Sequence, residues 1–158
     1  MTDTRSVDDW LDAAVSSAEE LATVALGFEG ASLVGKADKV APELSSAMIA
    51  LVSETASVQL GIATSRDGCQ TLARALLAME PDEADLPDDD VADAVGEVAN
   101  IVAGQVKSMM SSTDTTLRIG LPLFVHGKID YPDDVETAFA NVNVGPVPVT
   151  FVVLKSIN

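Results

Sequence analysis

Residues 88–110 read DDDVADAVGEVANIVAGQVKSMM, and their spacing decides how the rest of the chain is arranged. Pro87 and the acidic run Asp88, Asp89, Asp90 open the stretch as a helix start should, because carboxylates favour the positive end of the helix dipole. Val91, Val95, Val98, Val102, Val106 and Met109 then recur at intervals of three and four. That is the period of a helix buried along one side for about six turns. Asp93, Gly96, Glu97, Asn100, Gly104 and Lys107 fall away from that stripe. Glu97 and Asn100, three apart, stand side by side. A glycine inside a helix costs about 1 kcal/mol relative to alanine. Two of them around a carboxylate and a carboxamide call for a reason. Either they keep the surface low so that a partner can approach, or they admit a neighbouring helix of the same chain and the polar pair is solvated.

The valine stripe needs a core to face. With 158 residues, 47% of them hydrophobic, the chain can enclose one, and residues 1–158 read as a single domain. The 25 acidic against 9 basic residues argue against nucleic acid and against an anionic membrane surface, both of which need a basic footprint. No segment has the apolar length of a membrane span, and the first ten residues, MTDTRSVDDW, do not resemble a secretory signal. The expected location is the cytoplasm. Cys69 is the one cysteine, so neither an internal disulfide nor a thiolate metal cluster can form. Its helical setting makes it a buried structural thiol rather than a nucleophile.

Working outward, a first helix is expected from about Val7 to Leu26, capped by Ser6 with Asp9 as acidic partner and ended by Gly27, with Trp10 as a packing anchor. A short strand follows around Ala31 to Lys36. Two clearer strands, about Leu44–Ser53 and Thr55–Ser65, meet at Glu54 as an antiparallel hairpin. Arg66–Met79 reads as a helix, paired with the Asp88 helix through the acidic linker PDEADLPDDD. That linker does not match a calcium loop, lacking both the turn glycine and the closing glutamate.

After Asp114 the period falls to two: Leu117, Ile119 and Leu121 alternate with Thr116, Arg118 and Gly120 until Pro122 interrupts the ladder. A proline there means an edge strand, a bulge or a bend. The single histidine, His126, has no Ser/Asp or cysteine constellation around it and reads as a surface residue. Val135–Val144 and Val147–Ile157 make a closing hairpin across Gly145-Pro146. The last strand is apolar on both faces, so helices or a partner subunit should cover both. The expected architecture is an α/β sandwich of the α+β class, a mainly antiparallel sheet covered by long helices.

Several chemistries are missing. There is no phosphate-binding glycine loop, GxGxxG, HExxH, CxxC or nucleophile elbow. Such a chain should act on a partner macromolecule or with a partner's cofactor.

The string DAVGEVANIVAGQVKSMM, followed by LRIGLPLFVHG, resembles the CheX-type chemotaxis phosphatases of the CheC/CheX/FliY family. The pattern A-x-G-E-x-x-N-x-x-x-G is met by Gly96, Glu97, Asn100 and Gly104, and the proline-bearing strand by Leu121, Pro122 and Gly127. Glu97 is the one glutamate with an asparagine three residues on, which is similar to the one-site CheX branch.

The resemblance implies a CheC/CheX-like fold and a hydrolase that removes the aspartyl phosphate of a CheY-like response-regulator receiver, ending a chemotaxis or other two-component signal. It implies Asn100 as the residue that positions the attacking water and Glu97 as the residue that pairs with the receiver's lysine. Asp93, Gly96, Gly104 and Lys107 would be partner contacts. No cofactor or metal of its own is implied, the Mg²⁺ being supplied by the receiver. A homodimer is expected, joined through the apolar closing strands. The alternative is a non-catalytic module that binds receivers, or a flagellar or signalling assembly, through the same helix face.

Overall fold

The computed structural model describes residues 5–80, 82–112 and 114–157, so Pro81 of the acidic linker and the first four residues lie outside it. The first helix, α1 (Val7–Glu20), starts as its sequence dictates: the Ser6 hydroxyl accepts from the Asp9 amide at 3.2 Å, and the Asp9 carboxylate accepts from the Ser6 amide at 2.9 Å. Trp10 is fully buried and lies beneath the Arg5 guanidinium, 4.5 Å from the ring centre. The helix loosens into a π-helical turn, Leu21–Ala25, and stops at Gly27, whose positive φ of 69° lets the Phe28 amide donate back to the Ala22 carbonyl.

The strands are β1 (Ala31–Ala37), β2 (Ser45–Val52), β3 (Ser57–Thr64), β4 (Arg118–Ile119), β5 (Leu123–His126), β6 (Val135–Val144) and β7 (Val147–Ser156). They form one antiparallel sheet in the order β1-β6-β7-β3-β2, with β4 and β5 both on the free side of β2. Both expected hairpins are present, Val52 opposite Ser57 and Val144 opposite Val147. Helices α1, α2 (Arg66–Leu76) and α3 (Asp88–Met110) share one face of the sheet and one apolar core with Ile49, Leu51, Val58, Leu60, Phe151 and Val153. The architecture is the expected α+β sandwich.

The second apolar face of β7 is also answered within the chain. Val152 and Leu154 join Met48 and Phe139, and Val40 and Ile129 from the adjoining loops pack against them. Strands β6 and β7 are hydrogen-bonded on both sides, so neither offers a free edge to a second copy. The idea that the closing strands join two copies is therefore corrected. The open edge on that side of the sheet is β1, where Leu33 and Val34 are exposed.

Helix α2 ends at Leu76, three residues short of the expected Met79. Ala78 takes a left-handed φ of 57°, the Ala78 amide donates to Ala75 and the Met79 amide to Arg74, a closure usually reserved for glycine. The acidic linker is then tied back to α2. The Gln70 carboxamide accepts from the Leu86 amide at 2.9 Å and donates to the Leu86 carbonyl at 3.0 Å, while Arg74 meets Asp85 at 3.0 Å. This brace fixes where α3 begins.

Its other end is fixed by Asp114. One carboxylate oxygen accepts from the Thr116 amide (3.0 Å) and hydroxyl (2.7 Å), the other from the Thr55 hydroxyl (3.0 Å), and the Arg5 guanidinium lies 3.8 Å away. Hydroxyl donors, Ser53 first and then Thr116, hold this carboxyl well below the usual carboxylate range. The loop after α3 is thereby pinned to the β2–β3 turn.

Candidate functional site

Helix α3 runs over the residues expected and buries Val91, Val95, Val98, Val102 and Val106, with Ala94, Ala99 and Ala103 beside them. The last member of the stripe is corrected. Met110 is buried, while Met109 is 42% exposed. Held by α1, α2 and β2, the helix is a rigid platform for whatever its outer side carries.

That outer side carries Glu97, exposed, and Asn100, half-buried one turn further on. Among the described residues neither side chain takes part in a hydrogen bond or an ion pair. Asp93 and Lys107 are exposed along the same helix, Lys107 at a shallow cleft shared with Glu54, Thr116 and Arg118. Gly104 is open: a Cβ there would meet nothing within 4 Å. Gly96 is different. It is buried, and a Cβ on it would come within 3.3 Å of the Pro122 ring. The reading of Gly96 as an exposed partner contact is therefore corrected, since the glycine admits a proline of its own chain.

Pro122 reaches Gly96 because the edge strand is bulged. Ile119 pairs with Leu51 and Leu123 with Met48, so three residues, Gly120, Leu121 and Pro122, stand opposite two, Ile49 and Ala50. The Gly120 amide still donates to the Ala50 carbonyl at 2.8 Å. The alternation expected through Leu121 thus breaks, and Leu121, expected on one face with Leu117 and Ile119, is 90% exposed. Gly96 lies one turn below Asn100 and next to Glu97, so Pro122 packs on α3 beside the polar pair.

The chemistry of the other candidates is modest. Burial pushes the Cys69 thiol up to about 11, the wrong direction for a nucleophile. His126 shares a hydrogen bond with the Ser45 hydroxyl at 2.9 Å and stands edge-on to Phe124. Among the described residues no three His, Cys, Asp or Glu side chains converge as a metal site, and no helix is long and apolar enough to cross a membrane. The cavity of about 570 Å³ between the ends of α1 and α2 is lined by no residue of α3. Neither Glu97 nor Asn100 lines this cavity or the cleft at Lys107.

The fold and this helix face define a CheC/CheX-like α+β protein. The family model for the chemotaxis phosphatase CheX matches residues 45–139, more than half of the chain and all of α3 and the bulged strand. The chain belongs to the CheX family. No curated protein matches it by sequence. Among solved structures, the chemotaxis protein CheX from Vibrio vulnificus superposes with a TM-score of 0.74 at 14% identity, over 97% of this chain and 100% of that one. The CheX–CheY–BeF₃–Mg²⁺ complex from Borrelia burgdorferi gives 0.72 at 17%, over 94% and 97%. CheX from Desulfovibrio desulfuricans gives 0.71 at 19%, over 95% and 99%. These likenesses concern the fold.

Proposed function

We propose that this chain hydrolyses the aspartyl phosphate of a CheY-like receiver domain. The observation that carries the reading is the unengaged Glu97–Asn100 pair, displayed on the outer side of a packed helix inside the region matched by the CheX family. The phosphorylated aspartate of a receiver lies in a cleft of the receiver, where Mg²⁺ and a lysine of the receiver neutralise the phosphoryl oxygens. What such a site lacks is a water held in line with phosphorus. The Asn100 carboxamide suits that role, since its oxygen accepts a proton of the water while its NH₂ donates alongside. It removes no proton itself. Its contribution is position. Glu97, one turn earlier, pairs with the receiver's lysine and sets the register of docking.

The test is the affinity for a beryllofluoride-activated receiver, measured by calorimetry for wild type and Glu97→Gln. Removing one partner of a charge pair desolvated in the complex should weaken binding on the order of tenfold or more. Equal affinities would remove Glu97 from the docking role.

A further inference from the structure

The cavity of about 570 Å³ between the ends of α1 and α2 has the size of a small-molecule site. Its wall also has the composition of one, apolar side chains around a single charged group. Phe28, Ala75 and Leu76 pack on the core with one side and line the cavity with the other, and Met79 closes it. Arg74 is the one charged residue in the lining, which includes no carboxylate. Two irregular helix ends shape the wall. The π-helical turn of Leu21–Ala25 contributes Val24 and Ala25, and the α2 terminus contributes Ala78. Ala78 is the one described non-glycine residue with a positive φ. Backbone strain of that kind, like a π-turn, collects at ligand clamps and other functional sites.

Arg74 is incompletely satisfied. A guanidinium carries five N–H donors. Here Nη1 donates to Gln70 Oε1 at 3.3 Å and to Asp85 at 3.0 Å, while the buried Nε meets no acceptor among the described residues. A buried donor left without an acceptor destabilises the fold, so a group that supplies one is favoured. The partner Asp85 is 71% exposed against 14% for Arg74, and a carboxylate so exposed returns to water at little cost.

We infer that this cavity binds a small amphipathic carboxylate, its apolar body against Phe28, Ala75 and Met79 and its charged end on Arg74 in competition with Asp85. Charge selects the class, because a neutral apolar molecule would leave the guanidinium as it is. The site is separate from the Glu97–Asn100 pair and does not depend on the function proposed above. It touches α3 only indirectly: Gln70, bonded to Arg74, also holds Leu86 just ahead of that helix.

The experiment is calorimetric titration of the full chain with octanoate, below its micellar range, and with 1-octanol of the same apolar length. Both titrations are repeated on Ala75→Leu, Arg74→Gln and Asp85→Asn. Ala75→Leu narrows the cavity from a half-buried helical position and leaves the bonds of Arg74 alone. Asp85→Asn weakens the competitor without touching the wall. The expected result is one saturable octanoate site in the wild type, tighter than that for octanol. Its Kd should rise about tenfold or more in Ala75→Leu and in Arg74→Gln, the latter from loss of charge-assisted hydrogen bonds, and fall several-fold in Asp85→Asn. A wild type that takes up no octanoate, or an equal Kd in wild type and Ala75→Leu, overturns the site. Octanoate held no more tightly than octanol, and equally by wild type, Arg74→Gln and Asp85→Asn, overturns the role of the carboxylate and with it the inference.

Discussion

Replacing Asn100 by alanine should lower phosphate release from a phosphorylated receiver on the order of 100-fold or more, while the affinity for the activated receiver stays close to wild type. The size follows from the role. A side chain that only positions a nucleophile contributes through orientation, and its loss appears in kcat. The split follows from geometry. Asn100 is half-buried among small neighbours on α3, and its removal leaves Glu97 and the bulge in place. No fold penalty accompanies the change, because the carboxamide makes no hydrogen bond within the described chain. Rapid-quench measurement of the phosphorylated receiver, with calorimetry for binding, checks both halves. A variant that turns over at the wild-type rate contradicts the water-positioning role.

Replacing Asp114 by asparagine should destabilise the fold by about 1.5–3 kcal/mol at neutral pH, the usual worth of hydrogen bonds to a charged group. The carboxylate accepts from Thr116 twice and from Thr55, and sits near Arg5. Its folded pKa is depressed below the ordinary value near 3.9, chiefly by the hydroxyl donors. The stabilisation is thus fully present above about pH 4 and is lost as pH falls towards the folded pKa. Urea unfolding of both proteins should show a gap at pH 7 that narrows steadily below pH 4. A gap of constant size would mean that the charge of Asp114 is not what matters. The consequence reaches the site, because this carboxylate anchors the loop that launches β4 and the bulge.

How much of this could be read in advance varies with the range of the interaction involved. Helix α3 was legible because its valines recur locally, and both hairpins because turn residues separate alternating runs. Glu97 and Asn100 were visible as polar residues off the stripe, and the family pattern gave them roles. Gly96 was misjudged because a sequence does not say which distant residue will lie on a glycine; here it is Pro122, brought in by the bulge. Pro122 itself announced an irregular edge, but the choice of a bulge depends on pairing with β2, some 70 residues earlier. That same pairing turned Leu121 outward. The early end of α2 was hidden because an alanine, Ala78, occupies a position where glycine would have signalled it. Asp114 was passed over as loop, although Asp114-Thr115-Thr116 carries the signal of a carboxylate accepting from the amide two residues on.

The reading of α3 as the working face stands on one reaction. Each response-regulator receiver of the host should be phosphorylated, freed of donor, and followed for phosphate release with and without a catalytic amount of this protein. The expected result is that at least one receiver loses its phosphate far faster than it does alone, with many turnovers per protein molecule. Decay of every receiver at its own intrinsic rate would contradict it.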